Sequence, residues 1–123
     1  MVVLGGGLGA GFRFLIYTWV SKWYTATFPL ATFLINVSGS FLIGLLMTLF
    51  LNRSSLNVNL RLFLVTGILG GYTTFSSFEW EIFLGLRGGA GAIALLYVVS
   101  SVVLGLAGVW LGAGICNYFW PNS

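Results

Sequence analysis

Histidine is absent from this 123-residue chain, and Cys116 is its only cysteine. Those two scarcities exclude metal centres built on His or Cys clusters, disulfide frameworks and His-based nucleophilic catalysis. Charge is nearly as scarce: 6% of residues are charged, and Glu79 and Glu81 are the only carboxylates. A soluble domain is usually about a quarter charged, so this chain lacks the polar material to cover a globular surface. An enzyme is not expected. Cys116, in an apolar setting, reads as a small packing residue. A cleavable signal peptide is not expected either, because Met1-Val2-Val3-Leu4 has no charged leading region and runs on into an apolar stretch.

What the chain does have is 59% hydrophobic residues and a mean hydropathy of +1.04. It reads as an all-α integral membrane protein. Four apolar stretches, at about 1–20, 29–51, 60–84 and 90–116, each approach the roughly 20 residues that a spanning helix needs. The connectors carry polar and turn residues: Ser21-Lys22-Trp23-Tyr24, then Asn52-Arg53-Ser54-Ser55, then Arg87-Gly88-Gly89. Trp19, Trp23, Tyr24, Tyr118 and Trp120 have the positions of interfacial aromatics. No linker is long enough for a second domain, so residues 1–123 form one four-helix membrane module. Eighteen glycines include the small-residue pairs Gly5/Gly9, Gly7/Gly11, Ser40/Gly44, Gly67/Gly71 and Gly108/Gly112, which provide close-packing helix faces. Four short helices enclose little volume, and together with these faces they favour an oligomer.

Lys and Arg in short loops set the orientation of a membrane protein. Four spans put the termini and second loop on one side, with Arg53 and Arg61, and the first and third loops on the other, with Lys22 and Arg87. The count is two against two. Such a chain has no strong orientation bias and can insert both ways, which permits an antiparallel, dual-topology pair.

Polar residues inside the spans are the candidates for function. Thr32, Asn36 and Ser40 recur every four residues and share one face of the second helix. They are either hydrogen-bonding glue between helices or a ladder facing a pore, in which the Asn36 amide offers N–H donors to an anion. On the third helix Thr74, Ser77, Phe78 and Glu81 form a stripe, with Phe75 three residues from Phe78. The phenylalanines are either core or a site whose electropositive ring edges meet an anion. Gly70-Gly71 weakens the helix before them, and carbonyls freed at a break suit a hard cation. Glu81 lies on the stripe and is the better candidate of the two acids. Arg13, inside the first span, is a functional candidate because a basic residue there is costly; it either snorkels to the interface or attracts anions. Tyr97 and Ser101 share a face of the fourth helix. The run Gly5-Gly6-Gly7-Leu8-Gly9-Ala10-Gly11 lacks both the spacing and the preceding strand of a dinucleotide site. No nucleic acid or protein substrate is expected.

Three of these motifs occur in an order that resembles the small fluoride channels of the Fluc/CrcB family, along essentially the whole chain. They are Gly5-Gly6-Gly7-Leu8-Gly9-Ala10-Gly11-Phe12-Arg13-Phe14, Ala31-Thr32-Phe33-Leu34-Ile35-Asn36-Val37-Ser38-Gly39, and Gly67-Ile68-Leu69-Gly70-Gly71-Tyr72-Thr73-Thr74-Phe75-Ser76-Ser77-Phe78 with Glu81. The resemblance implies four transmembrane helices with a break in the third, an antiparallel dual-topology homodimer in the bacterial inner (plasma) membrane, two fluoride pores and a central structural Na+. It implies that the Na+ is held by the main-chain carbonyls of Gly70 and Thr73. Phe75 and Phe78 would present ring edges to fluoride, and Asn36 would donate its amide. Thr32, Thr74, Ser77, Tyr97 and Ser101 would extend the polar track, with Arg13 near the vestibule and Glu81 at the acidic position. One departure is Gly105, where the family often has a third hydroxyl four residues beyond Ser101. The family also includes pairs of dissimilar chains; the intact motif set favours a homodimer. The rival reading is a small dual-topology multidrug transporter, which needs a membrane carboxylate in the first helix, where this chain has Arg13 and no acid.

Overall fold

The computed structural model describes residues 1–122. Helix α1 runs Val2–Ser21 and α2 runs Leu30–Asn52. A helical turn, α3 (Val58–Arg61), continues through a π-helical segment, Leu62–Leu69, into α4 (Gly70–Tyr72). After three non-helical residues the chain resumes as α5 (Ser76–Arg87), turns at Gly89, and ends in α6 (Gly91–Phe119). Gly89 takes φ +80°, a left-handed conformation that glycine adopts freely.

Helices α1, α2 and α6 are long and apolar enough to cross a membrane. The third expected span, 60–84, is divided between the α3–α4 run and α5 rather than being one continuous helix. The surface suits lipid: Val3, Trp110 and Leu95 are among many large apolar side chains that face outward. The chain is a multi-pass membrane protein.

Two close helix contacts hold the bundle, and both depend on the absence of side chains. Lipid is as apolar as the helices, so close van der Waals packing is what favours association. Along α2 and α6, Gly44 lies against the Val109 backbone and Gly112 against the backbone at Phe41 and Leu45, while a Cβ on Gly105 would stand 3.4 Å from Ser40 Oγ. Along α1 and the π segment, Gly5 meets Gly67 so closely that a Cβ on Gly67 would come within 2.9 Å of the Gly5 Cα. Gly9 faces Ile68 and Tyr72, and Gly71 faces Gly6 and Ala10. Gly7 and Gly11, by contrast, have open space around them. In the π segment the Gly70 N–H reaches the Val65 carbonyl, five residues back. Such wide turns are rare and frequently occur at functional sites. Here one leads directly into the interruption at residue 73.

Candidate ion site

The interruption starts at Thr73, where ψ swings to 158° and the backbone becomes extended. In an unbroken helix the Thr74 N–H would donate to the Gly70 carbonyl. Instead it donates to Asn36 Oδ1 at 2.9 Å, and the Thr74 carbonyl accepts from Asn36 Nδ2 at 2.8 Å. A single side-chain amide on α2 therefore satisfies both backbone groups of one residue. The Thr74 hydroxyl accepts the Ser77 N–H at 3.2 Å and donates to Ser77 Oγ at 3.1 Å, capping the first turn of α5. Arg13 Nη1 donates to the Thr73 carbonyl at 3.4 Å. Inside a membrane each unpaired backbone group costs several kcal/mol, and these contacts are why the break persists there.

Beside the break lies a cavity of about 400 Å³. Asn36 and Ser40 from α2, Gly70, Thr73, Thr74, Phe75 and Phe78 from the broken segment, and Ser101 from α6 all contribute to its wall. The Phe75 and Phe78 rings are tilted at 42° with centroids 5.9 Å apart. Phe78 is buried, but Phe75 is 72% exposed, so one chain encloses the cavity on one side only. Asn36 keeps one N–H beyond the bond to Thr74, since an amide has two. Among the described residues the buried Ser101 hydroxyl has no hydrogen-bond partner.

A second polar group lies behind Phe78. The Tyr97 ring meets the Phe78 ring edge-on at 4.9 Å, with Phe28 of the α1–α2 loop packed on it at 5.4 Å. The Tyr97 hydroxyl donates to Glu81 Oε2 at 2.7 Å. The Thr32 hydroxyl donates to Glu81 Oε1 at 2.6 Å, and the Tyr17 hydroxyl stands 3.3 Å from the same oxygen while also bonding to Thr32 Oγ1. Helices α1, α2 and α6 thus converge on one carboxylate carried by α5.

The residues singled out from sequence therefore fall into two groups. Asn36, Phe75, Phe78, Thr74 and Ser101 line the cavity, as do Gly70 and Thr73, while Arg13 reaches the break from α1. Thr32, Tyr97 and Glu81 form the inner cluster, with Thr32 and Tyr97 almost wholly buried. Ser77 is tied to Thr74 between the two groups. Ser40 turns its hydroxyl back to the Asn36 carbonyl at 2.8 Å. Tyr17 escaped the sequence reading. Its position four residues after Arg13, on the same helical face, is the signal that would have found it. Also unforeseen is the Asn52 amide, which bonds to Asn117 Oδ1 and the Trp120 carbonyl, each at 2.8 Å.

Fold and site together define a multi-pass membrane protein with a cavity among its helices, where a few polar groups and two phenylalanines interrupt a largely apolar wall that includes Ile43, Val65, Leu69 and Val102. The chain belongs to the CrcB-like family, whose model, described as CrcB-like protein, Camphor Resistance (CrcB), matches residues 1–113. It is 50% identical over 113 residues to a protein of Solibacter usitatus (strain Ellin6076) named fluoride-specific ion channel FluC, covering 92% of this chain and 93% of that one. Proteins of the same name from Roseiflexus sp. (strain RS-1) and Methylobacterium sp. (strain 4-46) are 44% and 47% identical, over 94% and 97% of this chain and 94% and 95% of theirs. All three are named as ion channels and none as an enzyme, in keeping with a chain that is not an enzyme.

Proposed function

We propose that this chain is a fluoride-selective ion channel through which fluoride leaves the cell passively, conferring fluoride resistance. It works in the bacterial inner (plasma) membrane as an antiparallel, dual-topology homodimer with two pores and a structural Na+ at its centre. The observation that carries the reading is the cavity in which Phe75 and Phe78 stand beside the spare Asn36 N–H and the unpartnered Ser101 hydroxyl. Fluoride is small and strongly hydrated, so its pore must replace water with donors that still let it leave. Amide, hydroxyl and ring-edge donors meet that requirement. A strongly binding cationic cage would not.

The cavity's open side supports a pore completed by a second copy, and the balanced loop charges support the opposite orientation of that copy. The carbonyls of Gly70 and Thr73 would hold the Na+. The donor chemistry fits, since Na+ is a hard cation that takes oxygen ligands. The Thr73 carbonyl lies outside helical hydrogen bonding and already draws the cationic Arg13, while the Thr74 N–H is turned away from Gly70. When bound, Na+ supplies positive charge to the oxygen-rich break.

The test is ion efflux from liposomes carrying the purified protein, with fluoride and chloride followed in parallel. Fluoride release without chloride release is the expected outcome, and Phe75→Ile with Phe78→Ile should abolish it while dimers still form. Well-folded wild-type dimers that release no fluoride would overturn the reading.

A further inference from the structure

Three hydroxyls surround the Glu81 carboxylate, and each carries only one proton to donate. Tyr97 donates to Oε2. On the Oε1 side, Thr32 is the near donor at 2.6 Å, and Tyr17, at 3.3 Å, is too far for a strong O–H···O bond. Tyr17 makes its close contact with Thr32 Oγ1. With the Thr32 proton directed at Glu81, the Tyr17 proton is the one that fills the Tyr17–Thr32 contact. The order of donation is Tyr17 to Thr32 to Glu81.

From this geometry, and resting on the channel reading above, we propose that Tyr17 is a positioning residue. Its hydroxyl orients the Thr32 hydroxyl toward Glu81, and so holds the carboxylate behind Phe78 instead of beside the cavity. The arrangement has a cause in the fold. Glu81 sits on α5 and Thr32 on α2, and α1 is the third wall, brought close by the glycine contacts with the π segment. Thr32 is fully buried, and without Tyr17 its hydroxyl would lose the donor that fixes its direction. A carboxylate free to turn toward Phe78 would repel an anion in the cavity. Arg13 and Tyr17, four residues apart on α1, thereby serve the two polar groups of the site: Arg13 the backbone break and Tyr17 the acidic cluster.

Two measurements on the full-length protein test this, with Tyr17→Phe keeping the ring and removing only the hydroxyl. First, fluoride efflux from liposomes should fall roughly three- to ten-fold, the range that the loss of a single hydrogen bond covers, with the elution profile unchanged. In a Thr32→Val background, Tyr17→Phe should add no further loss, because residues acting in one chain of contacts are not additive. Second, Glu79→Gln leaves Glu81 as the only side-chain carboxylate. With 13C-labelled glutamate, its infrared carboxylate band should shift on Tyr17→Phe and remain unshifted by the same change when Thr32 is valine. Additive losses in efflux, or a band that does not respond to Tyr17→Phe, would overturn the proposal. If the wild type moves no fluoride the channel reading fails, and the infrared band still decides the role of Tyr17.

Discussion

At the scale of single residues, Asn36 and Ser101 have opposite relations to stability. Among the described residues the Asn36 amide is the sole side-chain partner of both Thr74 backbone groups, and stranding a buried donor or acceptor costs about 1–3 kcal/mol each. Asn36→Ala should therefore lower the melting temperature measured in detergent and also stop fluoride efflux. Ser101 is the reverse case. Its buried hydroxyl has no partner among the described residues, so removing it relieves a desolvation cost of similar size. Ser101→Ala should melt at the same or a higher temperature than the wild type while fluoride efflux slows. A fall in both would mean that the hydroxyl serves packing. The difference between these two residues was not legible in the sequence. A four-residue spacing projects Asn36 and Ser101 onto helix faces, but the partner of the Asn36 amide lies 38 positions away, beyond the reach of any local pattern.

At the scale of elements, the glycine pairs other than Gly7/Gly11, which face open space in the single chain, were legible because small residues four apart mark a face on which helices come close. Which helix each pair meets was not. Gly5 and Gly9 meet the π segment, whereas Gly44 and Gly112 join α2 to α6. Gly44→Leu would press a branched side chain into the Val109 backbone, where nothing can yield as a flexible side chain does. The variant should lose its monodisperse elution peak. Gly7→Ala points into open space in the single chain and should keep it. The apolar third stretch was readable as membrane-embedded, but its division into α3–α4 and α5 follows from hydrogen bonds that Asn36 and Thr74 supply across the bundle. The Gly70-Gly71 pair signalled weakness there without revealing what replaces the helical bonds. Tyr17 is harder to read for a simpler reason: a lone tyrosine in an apolar run has the signature of an interfacial anchor, and only its spacing from Arg13 argues otherwise.

At the scale of the whole molecule, the charge balance has a direct test. Cys116 is the only cysteine and is fully buried, so Ser55→Cys in a Cys116→Ala background places a single reactive thiol in the exposed second loop. Impermeant thiol reagents should label about half of the chains from each side of the membrane if insertion is unbiased. Adding Ser54→Lys to that loop should skew the labelling and reduce fluoride efflux together, since fewer antiparallel pairs can form. Labelling from one side only in the unskewed protein would overturn dual topology. The Asn52 bond to Asn117 and Trp120 has another meaning when the chain is viewed in time. Asn117 follows Asn52 by 65 positions, and ribosomes add about 5–20 residues per second, so the end of α2 waits roughly 3–13 s for its partner. A bare amide held that long in hydrocarbon would be costly. Through that interval the favourable place for Asn52 and its neighbour Arg53 is among headgroups and water, where Asn117 and the Trp120 carbonyl then meet the Asn52 amide.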